Sequence, residues 1–180
     1  MDLTAHFQML AVYNRVANER LYASCGELDD VEYRKPRRGS FGSIHALLNH
    51  ILLADRIWMS RFEGGGRSTP ALNTVLFEDF SELRAARIRE DGEIESYFAQ
   101  LRPSFFERSF RYTNSKGLEC VEDAAIAIAH MLNHQTHHRG QIHVMLSQTA
   151  VTPPSLDLHR IIDPQDSDGL AAPAGRRRKQ

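Results

Sequence analysis

The sequence predicts an all-α protein, an antiparallel four-helix bundle, with a short β-hairpin before the last helix. Three observations carry that expectation. Four stretches of about twenty residues set apolar side chains at helical spacing, sustained strand alternation is almost absent, and 180 residues is the length of one domain. A chain of that length buries enough surface to fold without disulfides or a structural metal.

The first stretch, residues 3–25, places Phe7, Leu10, Ala11, Asn14, Ala17 and Leu21 on a repeating three-four spacing. Pro36, Gly39 and Gly42 then break the pattern. A second helix starts from Ser43 as N-cap and runs to about Phe62 through Ile44, Leu47, Leu48, Ile51, Ala54, Ile57 and Trp58, with Gly64-Gly65-Gly66 ending it. The third, residues 79–101, is highly charged, with Leu83, Ile88, Ile94 and Phe98 as its inward positions. Between 104 and 121, Ser109–Thr113 and Leu118–Val121 flank Asn114-Ser115-Lys116-Gly117 like the arms of a hairpin. The fourth helix runs from about Glu122 to Ser147, and Pro153-Pro154 closes it. Residues 1–163 form the expected bundle, and 164–180, rich in Gly, Pro and charge, read as a disordered basic tail.

Several function classes drop out. No apolar run approaches the ~20 residues of a membrane span, and the N-terminus lacks the basic and apolar segments of a secretory signal, so a cytoplasmic protein without a membrane role is expected. Cys25 and Cys120 form no CxxC pair and read as reduced packing residues. The net charge of −1 hides an asymmetry: without Arg176, Arg177, Arg178 and Lys179, 18 basic residues face 23 acidic ones, a balance of −5. An acidic folded part argues against direct nucleic-acid binding.

Histidine is the compositional oddity, with nine in the chain and five (His130, His134, His137, His138, His143) within fourteen positions. On a helical wheel with His134 at zero, His138 falls at about 40°, His130 at about −40°, His137 at about −60° and Gln141 at about −20°. Ala127, Met131, Ile142 and Met145 share that sector, so the cluster points inward, whereas His143 faces away. On the second helix His50 borders the apolar stripe, while His45, about 140° round, does not. Two imidazoles at i and i+4 can bind one transition metal, and a third from a neighbouring helix completes a three-nitrogen set. Gln135, Thr136 and His137 separate the pair, so the Glu base of a metalloprotease HExxH is missing. His130 is the rival ligand and His137 a candidate for the surrounding shell. Arg139, on the opposite side, is expected to pair with a carboxylate from another helix, with Asp55 as its partner or a surface charge.

Leu48-Asn49-His50 through Trp58, with Asn133-His134-Gln135-Thr136-His137-His138-Arg139-Gly140-Gln141 some eighty residues on, resembles the DinB family of DinB/YfiT-like metalloenzymes over most of residues 1–160. The resemblance implies a four-helix bundle holding one divalent transition metal, zinc or nickel first and iron or manganese next, on His50, His134 and His138. Relatives of this fold include thiol-dependent transferases and isomerases, which implies a low-molecular-weight thiol or another small molecule as partner.

Three neutral imidazoles leave a divalent metal with an open position, suited to activating water for hydrolysis or a thiol for transfer to an electrophile. Thiol transfer is favoured over hydrolysis. The reading from a different class is a non-catalytic metal-binding or stress-response bundle. Tyr13, Trp58, Tyr97 and Met131 are candidates to line a pocket, and surplus Leu and Phe on one side could carry a homodimer.

Overall fold

The computed structural model describes residues 2–65 and 70–164. The expected tail lies outside the described residues apart from Pro164. In chain order the elements are α1 (Leu3–Cys25), α2 (Asp30–Arg34), α3 (Ile44–Phe62), α4 (Phe80–Ala99), a 3-10 turn (Pro103–Glu107), β1 (Ser109–Thr113), β2 (Glu119–Asp123), α5 (Ala124–Leu146) and α6 (Leu158–Ile162). The protein is thus mostly helical with one two-stranded sheet.

Local chemistry sets the helix ends. Asp2, Ser43 and Asp79 are N-caps whose side-chain oxygens accept from the amides of Ala5, Ala46 and Glu82 at 2.8, 3.1 and 2.9 Å. Gly64, at φ 88°, supplies the left-handed turn that stops α3. α5 ends at Leu146, ahead of the prolines expected to close it. β1 and β2 pair antiparallel from Ser109 opposite Asp123 to Thr113 opposite Glu119, as the hairpin reading required. Two short helices were not foreseen: α2 hides among the charges of 26–43, and α6 follows the proline pair.

The four long helices each pack on two others: α1 on α4 and α5, and α3 on α4 and α5. Their interior divides into two apolar clusters. The first gathers Phe7, Ala11, Trp58, Phe62, Ile94, Phe98, Ala127 and Met131 among others, the second Leu21, Leu47, Leu48, Ile51, Leu83, Ile142 and Met145. α1 and α5 run from the first cluster to the second, and α3 and α4 from the second to the first. The long helices therefore do not simply alternate in direction along the chain. α3 and its successor α4 run the same way. The 17 residues between them make this possible, because extended chain at roughly 3.3 Å per residue exceeds the ~30 Å length of a 20-residue helix.

Between the two clusters lies a buried polar layer to which every long helix contributes. Arg87 binds Asp55 at 2.6 Å and Asp91 at 3.0 Å. Asn18 donates to Asp91 at 2.9 Å, and Gln135 donates to Asp55. Arg139 donates to Asn14, to Asn18 at 3.1 Å and to Gln135 at 3.3 Å. Two expectations change here. Asp55 pairs with Arg87 rather than Arg139, whose direct partners are amides and the Thr136 hydroxyl. Ile88 is 60% exposed while its neighbour Arg87 is 1% exposed, since the inward sector of α4 runs through Leu83, Arg87, Ile94 and Phe98 and leaves Ile88 about 140° from Leu83.

Arg87→Met leaves two buried carboxylates without their cation and is expected to destabilise the fold by about 3–5 kcal/mol. Urea titration should show a lower midpoint with an unchanged slope.

Candidate metal centre

The site forms where α3 and α5 face each other at the level of the polar layer. His50 stands on α3, and His134 and His138 are one turn apart on α5. His50 and His138 are buried and His134 half-buried. The Nε2 atom of His134 lies 3.2 Å from Nε2 of His50 and 3.1 Å from Nε2 of His138. One nitrogen from each ring falls within 4.8 Å of the others, and among the described residues this group contains imidazoles alone.

The surroundings orient the rings. Asn49, just before His50, donates from its amide to the Phe77 carbonyl at 3.2 Å and accepts from the amides of Leu76 and Phe77 at 2.8 and 3.0 Å. This staples the α3–α4 connection onto α3. The same connection brings the Leu72 carbonyl to 2.9 Å from Nδ1 of His50. A carbonyl only accepts, so Nδ1 carries the proton and Nε2 is a bare lone pair directed at the other imidazoles. Phe41, presented by the turn at Gly42 (φ 78°), stacks on His50 at 3.8 Å between centroids and meets His138 edge-on at 5.7 Å.

These nitrogens fit a cation. A proton on Nε2 of His134 can bridge to one neighbour only, so no arrangement of neutral tautomers satisfies both close nitrogen pairs. Three converging lone pairs are what a transition metal accepts. Burial pushes the His134 pKa down to about 3, with His138 and His50 the next contributors. Burial also lowers His50, against the Leu72 hydrogen bond, and lowers His138, against the Gln141 hydrogen bond. The rings are thereby kept in the neutral form that ligates.

Other expected residues fall elsewhere. His130 is exposed, with its ring edge-on to Trp58 at 5.2 Å and 5.9 Å from the His134 ring, and His137 is exposed beside His138. Neither joins the convergent group. His45, read from the wheel as outside the apolar stripe, is buried, with Nδ1 3.2 Å from the Tyr33 hydroxyl, because α2 covers the first turn of α3. Trp58 and Met131 lie in the first apolar cluster with Tyr97 packed against it, and Tyr13 donates to the Leu156 carbonyl at 2.8 Å. Tyr13, Trp58 and Met131 are packing residues, whereas Tyr97 also lines a surface cavity with Arg56, Met59 and Glu90, which none of the three imidazoles lines. Cys25 is buried, which pushes its thiol up to about 12, and Cys120 is a half-buried residue of the hairpin. Asn49, the Leu72 carbonyl, Phe41 and the acceptor role of Gln141 escaped the sequence reading. Only Asn49 left a trace, as the amide beside His50 in the motif.

A profile of the DinB family matches residues 3–174. The chain belongs to the DinB family. The Protein DinB of Bacillus subtilis is 27% identical over 145 residues, covering 76% of this chain and 81% of that protein. The crystal structure of a DinB-like protein from Bacillus cereus superposes with a TM-score of 0.59 at 16% identity, over 77% of this chain and 89% of that one, a likeness of fold. No described helix of this DinB-family chain is long and apolar enough to cross a membrane.

The lowered His134 pKa has a consequence for stability. The unfolded chain protonates this histidine below about 6.5, whereas the folded chain does so only near 3. Between these values the unfolded state binds more protons, so metal-free protein should lose stability as the pH falls from about 6.5 and lose no more on this account below about 3. Urea midpoints measured at pH 7.5 and 5.0 should show the fall, and His134→Gln should reduce it.

Proposed function

We propose that this protein is a metal-dependent enzyme, built on a DinB-type four-helix bundle, in which His50, His134 and His138 hold one divalent transition metal, zinc or nickel, for transfer of a low-molecular-weight thiol to a small electrophile. The convergence of three Nε2 atoms at 3.1 and 3.2 Å carries the reading. A metal held there supplies Lewis acidity, lowering the pKa of a thiol or a water.

The chain's own residues accommodate a thiolate at the metal. Gln135, the first residue between the two α5 ligands, is turned into the polar layer and bonded to Asp55 and Arg139. No carboxylate stands in the place of a hydrolytic base, and the three ligands are neutral, so the protein leaves the cation's charge uncompensated for an anionic co-ligand. The stacked ring of Phe41 excludes water from one side of His50. Thiol chemistry also agrees with the thiol-dependent transferases among relatives of this fold.

Purified protein should take up one equivalent of zinc or nickel, and His134→Ala or His138→Ala should abolish stoichiometric uptake, as read by elemental analysis and metal titration. The loaded protein should conjugate a small thiol to members of an electrophile panel and lose that activity on chelation. Ester or amide hydrolysis without thiol conjugation would replace this reading with a hydrolase. Inactivity in both assays, with a large drop in melting temperature on chelation, would replace it with a non-catalytic metal-binding bundle.

A further inference from the structure

We propose that Gln141 is a positioning residue of the metal centre: its side-chain carbonyl holds His138 in the tautomer whose Nε2 is free, and its amide group, seated on His137, keeps that carbonyl in place. The proposal rests on the three-imidazole reading above. Gln141 is half-buried on α5, with Oε1 2.9 Å from Nδ1 of His138 and Nε2 3.1 Å from Nε2 of His137. An amide oxygen accepts and an amide NH2 donates. His138 therefore carries its proton on Nδ1, which leaves its Nε2, the atom 3.1 Å from His134, as a lone pair. His137 accepts on Nε2 and carries its own proton on Nδ1.

The reversed amide makes an equally complete chain with the opposite result. With NH2 against His138, Nδ1 becomes the acceptor and the proton moves to Nε2, closing that nitrogen to a metal. His137 then donates from Nε2. Only one of the two chains admits a metal, so the tautomer of an exposed histidine outside the ligand set is tied to loading of the centre. His50 needs no such device, because the carbonyl that fixes it belongs to the backbone of Leu72 and cannot rotate as a side-chain amide can. Hydrogen-bond partners of this kind orient metal-ligating histidines generally, and their loss typically weakens metal binding by about 10–100-fold.

The test combines zinc affinity, measured by competition with a chromophoric chelator, with nitrogen NMR of the histidine side chains in the zinc-loaded protein. In the wild type His137 should be protonated on Nδ1 and bare on Nε2. Gln141→Leu should bind one zinc about 10-fold or more weakly, with the metal-free melting temperature close to wild type. Gln141→Glu, which keeps an acceptor against His138, should retain wild-type affinity or exceed it. His137→Phe should fall between wild type and Gln141→Leu. Should the wild type bind no zinc, the metal reading fails and this proposal with it. Should the wild type bind zinc while Gln141→Leu matches it within about twofold, or should zinc-loaded His137 be protonated on Nε2, the positioning role alone is overturned. If Gln141→Leu does not fold, the His137 tautomer in the wild type decides.

Discussion

Four ionisable side chains, Asp55, Arg87, Asp91 and Arg139, sit in the middle of the protein at 4% exposure or less, and the packing of the long helices has to find partners for them together. A buried ion pair adds little net stability over well-packed apolar residues, since desolvation offsets most of the attraction. Its effect falls on register. Sliding one helix by a turn, about 5.4 Å, would strand a charge without a partner, at a cost of several kcal/mol. The two apolar clusters on either side are tolerant in comparison, because Leu, Ile and Phe accept many neighbours. The polar layer is thus the part of the interior that distinguishes one alignment of α1, α3, α4 and α5 from its near alternatives.

The candidate metal site inherits that alignment. On α5, His134 and His138 form one i,i+4 pair, and Gln135 and Arg139 form a second, offset by about 100°. The first pair faces His50 across to α3, and the second enters the polar layer towards Asn14, Asn18 and Asp55. Six consecutive residues, His134 to Arg139, therefore address two interiors. The turn of α5 that places a glutamine rather than a carboxylate between the two imidazoles also brings Gln135 to Asp55, so the chemistry of the site and the register of the helices share a cause.

Much of this was legible in the sequence. The three-four spacing of Leu47, Leu48, Ile51 and Trp58, the cap at Ser43 and the hairpin around Asn114–Gly117 are local signals, and the structure follows them. The wheel brought His50, His134 and His138 into view because imidazoles on an inward sector are rare and their angular positions follow from helical geometry. What remained hidden depends on which distant element covers a residue. His45 lies off the apolar stripe of its own helix and is buried by Tyr33 from α2. Arg87 looked like one charge among many on α4, and Asp55 a partner for the nearest motif arginine. No periodicity states which helix carries the answering charge, and the choice of Arg87 over Arg139 appears only when the helices are assembled. The shared direction of α3 and α4 escaped for a similar reason: a connection of 17 residues permits either sense.

That long connection gives the site an unusual kind of evolvability. Its residues 70–79 lie against α3 and reach the site through the backbone carbonyl of Leu72, held on course by the amide of Asn49. A carbonyl is common to all twenty amino acids, so at Leu72 the requirement falls on the path of the chain and not on the side chain. Leu72 and Val75 are both 41% exposed. Exposed residues along this connection, such as Leu72 and Val75, can be exchanged for others while the geometry of the three imidazoles stays fixed.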